Sequence, residues 1–368
     1  MTTYIKGLDG LRGIAIILVM LFHFRRYDFG EIGIDVGWIG VQMFFVLSGF
    51  LITRILLNEK QKSISEYLKR FYWRRSLRIF PLYFAYLIVL SISFWLLGLP
   101  QAMGKKAVWL YTYTYNFTRL LPEWSHSVFF THLWSLSVEE QFYLIWPLLI
   151  FFTRDKVLKY ILAGIIVTSP FIRWGFASFL LTNTSLNLEA AGEAVYWFTF
   201  SHLDAFAFGG AIPIFNLHEK VQRPGLLCLI FATVILSIGS FRLAQEPVIS
   251  PIHFSSLGYP IASLDYGQHI WSYTLLNAFF ALLILWVSYS SGGKLFSNSF
   301  LVSIGKVSYG MYLFHWGILG AFSKIANQLP ISSLLSFVIY FFGVYLFARA
   351  SFYFFETYFL KIKNNVKL

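Results

Sequence analysis

The sequence predicts an all-α protein, a polytopic transmembrane bundle of about ten spanning helices. Three observations predict it. Hydrophobic residues make up 57% of the chain and charged residues only 12%, whereas a soluble domain carries about 25% charge. Apolar runs of roughly 17 to 25 residues recur along the chain, the length that crosses a bilayer as a helix. The basic residues collect in a few short loops, as the positive-inside rule requires of cytoplasmic connections. The net charge of +12 is read from those loops, not as a nucleic-acid surface.

The first run, 11–28, has the look of a signal-peptide core, but FHFRRYDFG follows it with no small-residue cleavage site. It is read as a retained first helix. Runs at 36–57 and 80–98 come next, joined by NEKQKSISEYLKRFYWRRSLRIF, which carries Lys60, Lys62, Lys69, Arg70, Arg74, Arg75 and Arg78. That loop is assigned to the cytoplasm. Further runs fall at 135–153, 157–174, 201–217, 225–241, 270–289, 301–323 and 332–355. A ten-helix count puts RDKVLK, HEKVQR and the tail KIKNNVKL on the same side as the first basic loop, with both termini cytoplasmic. The stretch 105–121, KKAVWLYTYTYNFTRLL, is aromatic and broken by polar residues. As an eleventh span it would turn every later basic loop outward, so a re-entrant or interfacial segment is preferred. The outer loops 99–130, 176–200 and 242–269 are long and sparsely basic. One membrane domain is expected over 1–368, with 58–80 as its basic cytoplasmic segment and no appended soluble domain.

Within that segment, 63–80 reads as an amphipathic helix on the membrane surface. Ser63 or Ser65 caps it, with Glu66 placed for a capping box. Arg70, Arg74 and Arg78 recur every four residues on one face, with Arg75 beside them. Pro81 then opens the next span. Two readings of the arginines stand on charge alone: a topology determinant that holds anionic lipid head groups, or a site for a phosphorylated ligand held by guanidinium forks.

RGIAIILVMLFH places Arg12 and His23 at the two ends of one apolar stretch. Eleven residues bring both to one helix face, about 16 Å apart along the axis. Arg12 then sits at the cytoplasmic end and His23 deep in the membrane. Intramembrane ionisable groups are costly and usually serve a pathway or a reaction, so His23 is assigned a functional role, as a neutral imidazole able to take a proton. LWSLSVEEQFYLIWPLL puts Glu139 and Glu140 at the head of a span, about 100° apart on a helix and so on different faces. Ser48-Gly49 is a small pair that permits close helix or ligand approach. Asp204 is read as functional in preference to a buried ion pair. For His202 and His315 a functional and a structural reading both stand, and the functional one is not preferred. Cys228, the single cysteine, excludes an intramolecular disulfide, offers no metal cluster and reads as a packing residue.

Taken together, GLDGLRGIAIILVMLFHF, GWIGVQMFFVLSGFLITRIL, YWRRSLRIFPLYF, LWSLSVEEQFYLIWPLL, DAFAFGGAI and VSYGMYLFHW resemble the membrane acyltransferase-3 family, the bacterial integral-membrane O-acyltransferases. The matches span nearly the whole chain in the family's order. The resemblance implies an inner-membrane enzyme that moves an acyl group, usually acetyl, from cytoplasmic acyl-CoA to a hydroxyl of a surface polysaccharide or lipid-linked sugar. It implies His23 as catalytic base and Glu139 as the functional member of its pair. It places Arg12 in the donor site, Arg74, Arg75 and Arg78 on the CoA phosphates, and Ser48 and Gly49 in a pore-lining motif. Acetyl-CoA is then the donor substrate, a glycan or lipid-linked sugar the acceptor, membrane lipid the surroundings, and no metal is required. Gln42 departs from the pattern, since many relatives have Asp there; Asp35 is the candidate replacement. Three readings compete: acylation of a small molecule or secreted lipid, a secondary transporter or flippase, and a scaffold whose basic loop binds lipid.

Overall fold

The computed structural model describes residues 4–25, 34–121, 124–245, 255–326, 328 and 331–365. Among them every regular element is helical, as a chain in lipid requires, because a helix satisfies its backbone polar groups internally. The order is α1 (Lys6–Arg25), a 3-10 turn (Asp35–Trp38), α2 (Ile39–Glu59), α3 (Ile64–Leu96), α4 (Lys106–Tyr111), a 3-10 turn (Tyr115–Leu120), α5 (Trp134–Phe152), α6 (Asp155–Asn183), α7 (Leu188–Trp197), α8 (Leu203–Ile214), α9 (Leu217–Lys220), α10 (Pro224–Gln245), α11 (Gln268–Tyr289), α12 (Gly292–Leu295), α13 (Ser299–Lys306), α14 (Ser308–Ala326), α15 (Ser333–Ser351), a π turn (Phe352–Glu356) and α16 (Thr357–Asn365).

Among the described residues, seven helical units are long and apolar enough to cross a membrane. They are α1, α2 with its leading turn, α3, α6, α10, α11 with its leading turn, and α15 continued into α16. In α1 and α2, 72% of the apolar window is buried inside the protein, against 11% in α10. The first two helices therefore form the centre and α10 faces outward.

The other three expected spans fall short for three reasons. α5 carries Glu139, Glu140 and Gln141 in its first half. α8 has 12 residues, about 18 Å of helix, short of the ~30 Å hydrocarbon core. It lies wrapped by α2, α6 and α11. The run 301–323 is split at Val307 into α13 and α14, and α14, though 19 residues long, is diluted by Ser308, His315, Ser323 and Lys324.

The basic segment is not a separate surface helix. α3 runs unbroken for 33 residues with Pro81 inside it. Leaving the helix at Pro81 would strand several backbone groups in an apolar setting, whereas continuing loses one hydrogen bond. Ser63 is the cap, accepting from the Glu66 N–H at 3.3 Å.

Segment 105–121 does not cross. It holds one six-residue helix and one 3-10 turn. Tyr113, at φ 54°, stacks on Tyr83 with ring centres 4.3 Å apart, and the Tyr83 hydroxyl donates to the Leu110 carbonyl at 2.9 Å. Tyr83 lies 13 residues before the end of α3, about 20 Å along its axis. The segment thus folds back deep along α3 before the chain returns to α5. Of the expected loop 242–269, residues 246–254 lie outside the described residues.

Candidate active site

α1 is pressed against α13: a Cβ on Gly305 would lie 1.8 Å from the Asp9 carbonyl oxygen. The contact fixes the Asp9 turn. The Asp9 carboxylate takes Arg12 at 2.5 Å on one oxygen and the Tyr4 hydroxyl at 2.6 Å on the other. Arg12 is held in this way beside a cavity of about 100 Å³ that it lines with Ser48, Arg75, Arg78, Glu139 and Tyr312. Five predicted site residues, drawn from α1, α2, α3 and α5, share that wall.

A second cavity, of about 860 Å³, is lined by Lys62, Arg70, Arg74, Arg75 and Arg78, with Glu59 as its acid. The four-residue spacing along α3 delivers this row of cations to one face, as the sequence predicts. Three of the four arginines are partly neutralised, Arg70 by Glu66 at 3.1 Å, Arg74 by Glu59 at 3.6 Å and Arg75 by Glu139 at 3.8 Å. Arg78 makes no hydrogen bond or ion pair among the described residues. Arg75 and Arg78 line both cavities, so the broad basic groove leads to the narrow inner cavity past two guanidiniums.

Glu139 is the centre of the inner wall. It accepts from the Ser48 hydroxyl and from the Tyr143 hydroxyl, and Arg75 stands 3.8 Å away. Arg75 also bonds the Tyr143 hydroxyl and lies over its ring at 3.9 Å. Glu140 lines a different and largely apolar cavity, with Tyr72, Phe80 and Tyr113, on the other side of Arg75. The two adjacent carboxylates thus face different surroundings, as the helical geometry requires.

His23 lies deeper, outside the inner cavity's wall. Its Nδ1 is 2.7 Å from His315 Nε2, and the Trp316 ring covers it at 3.8 Å. His315 Nδ1 is 2.6 Å from the Tyr312 carbonyl. The Tyr312 phenol bonds Ser135 at 2.6 Å and the His132 carbonyl at 2.9 Å. Tyr312 therefore stands between the two halves of the site: its phenol is in the cavity wall and its carbonyl holds a histidine. His132 completes the deep cluster, edge-on to His315 at 5.1 Å. Among the described residues, no group of three His, Cys, Asp or Glu is placed to hold a metal ion.

Sequence reasoning missed His132 and left His315 without a preferred role. The available signal was the periodicity of SYGMYLFHW: Tyr312 and His315 are three residues apart, on one face of α14. His132 precedes LWSLSVEEQFY with nothing local to mark it.

Two assigned residues sit elsewhere. Gly49 faces α8, where a Cβ would lie 2.2 Å from the Phe206 carbonyl oxygen; across the same contact a Cβ on Gly209 would lie 2.0 Å from the Val46 carbonyl. It is a packing glycine, and only Ser48 of the pair reaches the cavity. Asp204 is fully buried against Arg173 at 3.1 Å and also accepts from Thr274 at 2.6 Å and Asn277 at 3.2 Å. It lines neither cavity. This is the buried ion pair that the sequence leaves as the alternative to a functional role. Asp35, the candidate replacement for an acid at 42, is engaged elsewhere: it pairs with Arg25 at 2.7 Å, whereas Gln42 bonds His202 at 3.1 Å. Cys228 is buried with a free thiol.

Comparison with known proteins matches the sequence to one family. Residues 5–351 match the profile of an acyltransferase domain. A provisionally named O-acetyltransferase of Staphylococcus aureus (strain COL) is 29% identical over 380 residues, covering 97% of this chain and 58% of that protein. The O-acetyltransferase OatA of Staphylococcus aureus is 27% identical over 368 residues, covering 96% of this chain and 57% of its own. The chain thus spans under two thirds of the length of these relatives. No solved structure matches. With its profile match running from the start of α1 to the end of α15, the chain belongs to the acyltransferase-3 family of membrane proteins.

Proposed function

We propose that the protein transfers an acetyl group from acyl-CoA to a hydroxyl of a cell-envelope glycan or lipid-linked sugar at the bacterial plasma membrane. The observation that carries this reading is the pair of cavities joined at Arg75 and Arg78. The larger has the size and charge for the phosphorylated head of CoA, since guanidinium forks match phosphate oxygens. The smaller has the size for the acyl end. The names of the relatives, O-acetyltransferases, support the same transfer.

In this mechanism the phosphates rest on Arg70, Arg74 and Arg78, and the pantetheine arm passes Arg75 toward Tyr312. The separation of Arg12 and His23, about 16 Å along α1, suits that extended arm. The acceptor hydroxyl arrives from the opposite side. His23 takes its proton as the oxygen attacks the thioester carbonyl. The C–S bond then breaks, and the thiolate leaves toward the arginines.

The test is the acetyl content of surface polysaccharide from cells expressing the wild type, His23→Ala or no protein, with membrane insertion checked for each. Acetyl found only with the wild type supports the reading. Full acetylation by inserted His23→Ala removes the base. No added acetyl in any sample, together with no CoA release by wild-type membranes given acetyl-CoA, removes the transferase reading and leaves transport.

A further inference from the structure

We propose that His315 is the positioning residue that sets the tautomer of His23, and so selects the imidazole nitrogen offered to the acceptor hydroxyl. The proposal rests on the reading of His23 as base.

The chain of hydrogen bonds has one consistent direction. A carbonyl oxygen only accepts, so the contact between His315 Nδ1 and the Tyr312 carbonyl at 2.6 Å puts the proton on Nδ1. A neutral imidazole has one donor and one acceptor nitrogen, so His315 Nε2 is the acceptor. It lies 2.7 Å from His23 Nδ1, which must therefore donate. His23 then carries its proton on Nδ1 and its basic lone pair on Nε2. In this arrangement a backbone carbonyl on α14 determines which nitrogen of a side chain on α1 is basic.

The surroundings hold His315 in place for that task. His315 is fully buried and His23 is 8% exposed, so bulk water does not exchange the tautomers freely. The turn of α14 that carries His315 is tied down from both sides. Tyr340 on α15 donates to the His315 carbonyl at 3.0 Å. On the other side, His132 bonds the Leu313 carbonyl at 3.1 Å, and the Tyr312 phenol bonds the His132 carbonyl. The Trp316 ring then packs against the His23 ring. A histidine that only filled space would need neither end of its ring matched to a partner of fixed polarity.

Asparagine and glutamine separate positioning from filling. The Asn amide reaches about where Nδ1 sits and can keep the Tyr312 bond; the Gln oxygen reaches about where Nε2 sits and can keep the His23 bond. CoA release from acetyl-CoA is measured in membrane vesicles from cells expressing each variant. His315→Asn is expected to lower kcat about 10²-fold or more with KM for acetyl-CoA nearly unchanged, the pattern of a lost general-base contribution. His315→Gln is expected to recover to within about tenfold of wild type. Equal loss in both variants, or Asn as the better of the two, overturns the proposal. If His23→Ala keeps wild-type turnover, the base reading itself has failed; if His23→Ala is dead while both His315 variants are active, only the positioning role has. Should the Asn variant not fold, imidazole nitrogen NMR of the ¹⁵N-histidine-labelled wild type, assigned against His23→Ala, decides. An Nδ1–H resonance for His23 supports the proposal and an Nε2–H resonance overturns it.

Discussion

The Ser48 hydroxyl on α2 donates to the Glu139 carboxylate on α5, a contact between residues 91 apart in sequence. Because Tyr143 donates to the same oxygen and Arg75 stands 3.8 Å from it, one carboxylate orients a hydroxyl, a phenol and a guanidinium at the point where the basic groove narrows. Removing its charge leaves Arg75 without its acid and Ser48 without a fixed direction.

Glu139→Gln keeps the size of the side chain and drops the charge. A hydrogen bond to a charged group contributes about 1.5–3 kcal/mol, so turnover with acetyl-CoA is expected to fall roughly ten- to a hundredfold. Glu140→Gln, which faces the apolar cavity beyond Arg75, is expected to cost less than about threefold, within the range of a residue making no transition-state contact. CoA-release kinetics on both variants check this, and a larger loss at Glu140 would reverse the assignment.

The groove arginines differ in how far acids already occupy them. Arg78 makes no ion pair among the described residues, whereas Arg70 sits 3.1 Å from Glu66. Arg78→Gln is therefore expected to raise KM for acetyl-CoA about tenfold or more with kcat little changed. Arg70→Gln is expected to raise it less, and added salt to weaken donor binding in the wild type. A KM that ignores all three changes would mean that the row of arginines holds lipid head groups and not the donor.

Much of this site was legible in the sequence because its cues are local. The row Arg70, Arg74, Arg78 is a matter of helical spacing, and the face shared by Arg12 and His23 follows from 3.6 residues per turn. The different facing of Glu139 and Glu140 is likewise fixed by adjacency. What the sequence withheld depends on long-range packing. Nothing near Asp204 announces Arg173 on another helix, and nothing near Gly49 announces the Phe206 backbone that requires it. Hydropathy also misjudged α8. Its residues are apolar because helices surround it, and a buried helix and a lipid-facing one carry the same composition. Pro81 was read as a helix start because that is its low-cost position in water, but in an apolar setting an unbroken helix costs less.

The Asp204–Arg173 pair gives a stability prediction. Both side chains are fully buried, and Arg173 also donates to the Ser201 and Ile270 carbonyls at 2.8 Å each. Asp204→Ala leaves a guanidinium without its acid and is expected to destabilise the fold by about 3–5 kcal/mol. Replacing both, as Asp204→Leu with Arg173→Met, is expected to recover most of that loss, because neither charge then remains buried alone. Thermal unfolding in detergent measures the cycle. Protein that still folds should release CoA at close to the wild-type rate, since the pair lines neither cavity; a catalytic loss without a stability loss would restore Asp204 to the active site.

Gln42 provides the sharpest test of how this chain departs from its family's pattern. The family resemblance would place an acid at this position, but the local bonding argues against one. His202 Nε2 is 2.5 Å from the Tyr196 carbonyl, so Nε2 carries the proton and Nδ1 is an acceptor. Gln42 meets that acceptor with its amide nitrogen at 3.1 Å, while its Oε1 is buried without a hydrogen-bond partner. An aspartate is one methylene shorter and brings only acceptors toward an acceptor, in a site where neither residue reaches solvent. Gln42→Asp is therefore expected to lower stability by about 1–3 kcal/mol, the cost of a buried polar group left unpaired. Gln42→Leu should cost less, because it removes the orphaned oxygen along with the amide. Thermal unfolding of the two variants ranks them. A more stable and faster Gln42→Asp would show that position 42 belongs to the catalytic machinery and that its acid has been lost here.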